Sequence, residues 1–129
     1  MADKPLKLGK VQLRIMQVLW DEGEVTARRV TEALSEVEPI AHSTVQTLMR
    51  TLEEKGAVGH EVRDRTFVFR AIRPRAEVTE TATRDLLSRV FGGSVYGLVS
   101  HLLTHEEVSS EEIGRLRELI EREGREAKQ

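Results

Sequence analysis

Apolar side chains recur at three- and four-residue spacing from about Leu8 to Trp20. Leu8, Val11, Ile15, Val18 and Leu19 share one face, which predicts a helix buried along one side. Asp21-Glu22-Gly23 ends it, glycine being the usual residue just beyond a helix. Val25-Thr26 reads as the staple and cap of a second, short helix with the stripe Val30, Ala33, Leu34 and Val37, and Pro39 interrupts it. A third helix is expected from His42 to Lys55, stopped by Gly56. From Val58 to Ile72 the pattern changes to β-branched and aromatic residues on both sides of a short polar turn, Asp64-Arg65-Thr66, which marks a hairpin. Three helices followed by a two-stranded hairpin is the plan of a winged helix-turn-helix. A lone hairpin is marginally stable, so this one must lie against the helices, with Phe67 and Phe69 expected as core beneath it.

Pro74 is the expected boundary, because the residue before a proline is biased toward extended backbone. Residues 1–73 then form the winged helix and 74–129 a segment of three further helices, a mainly α chain overall. Val78, Ala82, Leu86 and Val90 recur every four residues, and Phe91-Gly92-Gly93-Ser94 breaks the pattern with Ser94 placed to cap the next helix. That helix carries Val95, Leu98, Val99, Leu102 and Leu103. Ser109-Ser110-Glu111-Glu112 has the form of a capping box and opens a last helix striped by Ile113, Leu116 and Ile120, with Gly124 to Gln129 expected to fray. Three amphipathic helices of this length, without disulfide or metal, bury too little apolar surface to stand alone. Their stripes must pack on something. A second copy is the simplest partner, giving a two-fold dimer through Val78, Leu86, Val90, Phe91, Val95, Leu98, Val99, Leu102, Ile113, Leu116 and Ile120. Folding back onto the chain's own winged helix is the other arrangement open to them.

Composition changes this picture little, and charge changes it more. The 129 residues include no cysteine, which excludes disulfides, thiolate metal sites and cysteine nucleophiles. The first ten residues lack the apolar run of a secretory signal, and no stretch is long enough to span a bilayer, so a cytoplasmic protein without membrane insertion is expected. The net charge of −2 speaks against nucleic acid when taken whole. It is unevenly spread: residues 1–75 hold 13 Lys and Arg against 11 Asp and Glu, and residues 76–129 hold 7 against 11. A less acidic first half is compatible with DNA reading by that half.

The third helix carries the candidate chemistry. Val45, Leu48, Met49 and Leu52 fall in one sector of its wheel, and Ser43, Gln46, Thr47, Arg50 and Glu54 fall opposite. A helix entering the major groove uses its first turns near base edges, where glutamine can pair with adenine, arginine with guanine, and hydroxyls with phosphates or bases. Ser43, Thr44, Gln46, Thr47 and Arg50 are therefore the expected DNA-reading residues, with Arg63 and Arg65 flanking the wing turn as phosphate contacts. A solvated face is the plain alternative, but such faces favour Glu/Lys pairs, and this one has no acid before Glu53. A winged helix that meets a protein partner instead of DNA is the other functional reading. His101 and His105, four apart, could chelate a metal, yet Leu102 stands where the usual helical zinc motif needs glutamate. A half-buried histidine at the dimer face is the better reading of His101. No metal, cofactor or catalytic constellation is expected.

Several segments carry a family resemblance. Leu19-Trp20-Asp21-Glu22-Gly23, Ser43-Thr44-Val45-Gln46-Thr47-Leu48, Glu54-Lys55-Gly56, Arg65-Thr66-Phe67-Val68-Phe69 and Val90-Phe91-Gly92-Gly93-Ser94 resemble the penicillinase-repressor (methicillin-resistance-repressor) family of bacterial transcriptional regulators. The similarity runs from about Leu8 to Ile120. It implies a homodimeric repressor of promoter DNA whose winged helices bind an inverted repeat and whose C-terminal helices interlock. It also implies, as a partner, a membrane sensor-protease system that detects β-lactams and triggers cleavage within the dimerisation module. The bond cut in such members joins Asn to Phe, and the matching position here is His101-Leu102. Many relatives place arginine where this chain has Thr51, with Arg50 next to it here. The cysteine cluster of copper-responsive relatives is missing.

Overall fold

The computed structural model describes residues 6–127; residues 1–5 and 128–129, at the ends of the two expected segments, lie outside the described residues. The chain order is α1 (Lys10–Glu22), β1 (Val25–Thr26), α2 (Ala27–Ser35), α3 (His42–Glu54), β2 (Val58–Arg63), β3 (Thr66–Ala71), α4 (Arg75–Phe91), α5 (Val95–His105) and α6 (Ser110–Ala127). The fold is mainly helical with a winged helix-turn-helix at its N-terminal side. No single described helix is long and apolar enough to cross a membrane.

The first three helices and the sheet close on one core. Ile15, Met16, Leu19, Val30, Val45, Met49, Leu52 and Val58 are almost wholly buried in it. Leu8 lies before α1 and only packs against this core from the side. Val37 was expected in the stripe of α2 but is 79% exposed, because the helix stops at Ser35 and the chain turns before reaching it. Gly56, at φ 78°, ends α3, with the Ala57 N–H donating to the Leu52 carbonyl (2.9 Å) and the Gly56 N–H to Glu53 (3.0 Å). This left-handed stop is strain-free only for glycine. Gln12, a buried polar residue, is satisfied: its Oε1 accepts from the Gly9 N–H (2.9 Å) and the Lys55 ammonium (3.3 Å).

The sheet has three strands, not two, in the order β1-β3-β2 and antiparallel throughout. Thr26 does cap α2, its hydroxyl accepting from the Arg29 N–H (3.1 Å), but Val25 and Thr26 also pair with Phe69 and Val68. Between β2 and β3 the turn is the two residues Asp64 and Arg65, both at positive φ (50° and 67°), the geometry whose twist matches a tight hairpin.

By compactness the chain divides after Asp85, not at Pro74. The first turns of α4 belong to the first unit: Val78 is 4% exposed and part of its hydrophobic core. That corrects its expected place in the dimer stripe, since its side chain is already covered within the chain. Trp20 holds this junction, its Nε1–H donating to the Arg73 carbonyl (2.9 Å) while the Arg75 guanidinium lies 5.5 Å from the ring centre.

The second unit, from Leu86 onward, differs in character. Neither α5 nor α6 has a buried residue. Leu86, Val90, Val95, Leu102, Leu103 and Ile120 are exposed, and Phe91, Leu98, Val99, Ile113 and Leu116 are half-buried. The caps are as expected: Ser94 accepts from the Gly97 N–H (2.9 Å) and Ser109 from the Glu112 N–H (3.1 Å). Of the stretch expected to fray, Gly124 to Gln129, residues up to Ala127 continue α6, and residues 128–129 lie outside the described residues.

Candidate nucleic-acid interface

Helix α3 turns its apolar sector, Val45, Met49 and Leu52, into the core, and this forces the opposite sector outward. Ser43, Thr44, Gln46, Thr47 and Arg50 are all exposed. The hydroxyls of this face are partly committed: Thr47 donates to the Ser43 carbonyl (3.1 Å) and Thr51 to the Thr47 carbonyl (3.2 Å). Thr47 therefore offers acceptor lone pairs and a methyl group outward, and its proton is spent on its own helix. Thr51 is half-buried, whereas Arg50 is exposed.

Two histidines fix α3 to its neighbours. Thr31 donates its only hydroxyl proton to the Ala27 carbonyl (2.9 Å), so in its 2.8 Å contact with His42 Nδ1 it must accept. His42 is thus protonated at Nδ1, which ties the start of α3 to the middle of α2. At the other end, His60 Nδ1 meets Glu53 Oε1 at 2.6 Å; a carboxylate accepts, so the ring donates, joining α3 to strand β2. Phe67 stacks on His60 at 4.1 Å between ring centres, with Phe69 edge-on to Phe67 at 6.2 Å.

Strand parity decides which wing side chains meet this face. His60 pairs with Phe69 and Val62 with Phe67, so these four lie on one side of the sheet, and the contact of His60 with Glu53 marks it as the side toward α3. Glu61 and Arg63 alternate to the other side, and there Arg63 is bound by Glu61 and by Glu24. Arg63, expected as a phosphate contact at the wing turn, is here engaged by two carboxylates. Arg65 at the turn has no such partner among the described residues. Phe67 also differs from its expected role, because Phe69 is buried but Phe67 remains 50% exposed.

A groove of about 840 Å³ lies between α3, the wing and the start of α2, lined by Arg28, Gln46, Arg50, His60, Arg65 and Phe67 among others. Most arginines of the first unit are paired: Arg14 with Glu38, Arg29 with Glu22, Arg63 with Glu24 and Glu61, Arg73 with Glu77, Arg75 with Asp21 and Arg84 with Glu80. Among the described residues, the three that line the groove, Arg28, Arg50 and Arg65, have no carboxylate partner. Arg28 and Arg29 are neighbours with opposite fates. Two bonds from Arg29 (2.8 and 3.0 Å) hold the Glu22 carboxyl below its ordinary range, while Arg28 stays uncommitted.

Arg28 is the site residue that sequence reading missed, although one signal was available. A cation in the first turn of a helix opposes the helix dipole, and neither α2 nor α3 has an acid there to offset the positive end. Helix starts bare of acids are suited to phosphate oxygens. The wing tip shows a second local cost, since left-handed backbone at a non-glycine residue such as Arg65 is unfavourable by about 1–2 kcal/mol. The other expected sites lie in the second unit. His101 and Leu102 sit in the middle of α5, both exposed. His101 stacks on His105 at 4.2 Å and meets Phe91 edge-on at 5.8 Å. Among the described residues no group of three or more acidic or histidine side chains is placed to hold a metal ion.

Comparison with known proteins agrees with this geometry. The chain is 26% identical over 115 residues to a penicillinase repressor of Bacillus licheniformis, covering 89% of this chain and 90% of that one. The DNA-binding domain of the repressor BlaI, 25% identical, superposes with a TM-score of 0.52 over 59% of this chain and 93% of the domain. A monomeric form of Bacillus licheniformis BlaI, solved in complex with the blaP half-operator, is 26% identical and has a TM-score of 0.50 over 57% of this chain and 90% of its own. These relatives are repressors and not enzymes. The penicillinase repressor family profile matches residues 8–122, so the chain belongs to the penicillinase repressor family.

Proposed function

We propose that this protein is a homodimeric transcriptional repressor that binds an inverted-repeat operator and works in the cytoplasm. The observation that carries this reading is the exposed face Ser43, Thr44, Gln46, Thr47 and Arg50, joined in one groove by Arg28 and Arg65, these three arginines having no carboxylate partner among the described residues. Unpaired guanidiniums around a polar helix suit phosphates beside a reading helix. The half-operator complex of a relative supports the same use of the fold.

Dimerisation is supported by the second unit, whose apolar side chains from Leu86 to Ile120 stay exposed or half-buried in one chain. A contiguous apolar surface of this kind marks an interaction site. Two copies hold two reading helices at a spacing of one helical turn or a multiple, which compensates for the few cations each copy presents. Release follows from separation of that dimer. Cleavage of the His101–Leu102 bond by a protease under a sensor's control, the route the family resemblance implies, would cut α5 in the middle of its apolar stripe.

Selecting genomic fragments bound by the full chain, then comparing the recovered repeat with a scrambled duplex in gel shifts, tests the proposal. Preference for the repeat, with one dimer per duplex, is expected. Equal affinity for both duplexes overturns it and favours a protein-binding winged helix.

A further inference from the structure

The groove between α3 and the wing sets aromatic rings beside its unpaired cations. Its floor is aromatic: Phe67 and Phe69 lie edge to face, and Phe67 stacks on His60 while half of its surface stays open. A duplex offers such a groove phosphates, sugars and base edges, and keeps its base faces stacked inside. Phosphates and base edges account for Arg28, Arg50 and Arg65 in the lining, and the half-exposed phenyl ring in the same groove also offers its surface to a planar ring. Glu53 is taken up by His60, which leaves Glu54 as the uncommitted carboxylate lining the groove beside three unpaired guanidiniums. The volume, about 840 Å³, falls within the roughly 300–1,000 Å³ of small-molecule sites.

We infer that this groove is an effector site for a planar aromatic carboxylate. The ring system lies on Phe67 and the His60 ring in the offset or edge-on geometries such rings prefer. The carboxylate meets the guanidiniums of Arg28, Arg50 or Arg65, which suit it through paired N–H donors. The inference rests on the DNA-binding reading in one respect: Gln46 and Arg50 would serve both ligands, so effector and operator exclude each other and the effector relieves repression without proteolysis.

The test uses the full-length protein with 2-naphthoate as probe and 2-naphthamide as its uncharged counterpart, followed by calorimetry and by amide NMR shifts. One saturable site per chain is expected, with shifts at residues of α3, the wing and the start of α2. Naphthamide should bind at least tenfold more weakly. Phe67→Ala and Arg28→Ala should each weaken naphthoate binding at least tenfold; Arg28 is exposed, so its variant keeps the test open if Phe67→Ala fails to fold. With the operator present, the apparent DNA Kd should rise in proportion to free naphthoate, and Phe67→Ala should shrink that rise at least tenfold. Absence of saturation, binding unchanged in both variants, or unaltered operator affinity at saturating naphthoate would each overturn the inference. If no duplex is bound specifically, the DNA-binding reading fails by itself, and the titration without DNA still decides whether the groove takes the acid.

Discussion

Arg63 and Arg65 are two residues apart on the wing, yet they should behave differently when truncated. Arg63 is held by Glu24 and Glu61, whereas among the described residues Arg65 at the turn and Arg28 at the start of α2 form no ion pair. Each phosphate contact contributes about 0.9 to the slope of log affinity against log salt on duplex DNA, so an alanine variant that loses one contact per protomer lowers the dimer's slope by about 1.8. Between 50 and 200 mM salt, a fourfold step, that difference amounts to about 12-fold in relative affinity. Fluorescence anisotropy on the selected operator, measured over this salt range, should show the flattened slope for Arg65→Ala and for Arg28→Ala. Arg63→Ala should keep the parental slope, because the cation it removes is already neutralised within the protein. Equal slopes for Arg63→Ala and Arg65→Ala would refute the assignment of contacts by ion-pair occupancy.

Other consequences are as definite. Trp20→Phe removes the bond to the Arg73 carbonyl and should cost about 1 kcal/mol in urea unfolding followed by circular dichroism. Leu102→Asp places a charge on the exposed stripe of α5, so sedimentation should show monomer in place of dimer and operator affinity should fall with it. Ile15→Ala opens a cavity in a fully buried site and should lower stability by about 2–5 kcal/mol. Glu22 and Glu77 are held below their ordinary value of 4.5 chiefly by hydrogen bonds from Arg29 and Arg73. A depressed carboxyl stabilises the fold above its unfolded pKa and loses that effect as pH falls through the folded one. Stability should therefore decline below about pH 4.5, and Arg29→Ala, measured by urea unfolding across pH 2–6, should make that decline shallower.

Much of the winged helix was legible because its signals are local. The apolar sector of α3 sets its polar sector by helical geometry alone, Gly56 supplies the left-handed stop, and Ser94 and Ser109 cap the helices that follow them by accepting from the N–H three residues on. Strand β1 was not legible, because Val25 and Thr26 become a strand only through partners more than forty residues later, Phe69 and Val68. Val78 reads as part of a four-residue stripe, and nothing local says that its own chain's core covers it.

For the binding face the division is similar. Helical periodicity along the chain settles which residues α3 can present, since it forces Ser43, Gln46, Thr47 and Arg50 to the side opposite Val45 and Met49. Which arginines are available, and which rings share their groove, depends on contacts made by folding. An arginine's availability depends on carboxylates brought near it by folding: Glu24 reaches Arg63 from before β1, and Glu22 reaches Arg29 from α1. The aromatic floor likewise depends on wing and helix being pinned together by His60 and Glu53, a contact between two elements that no spacing along the chain specifies.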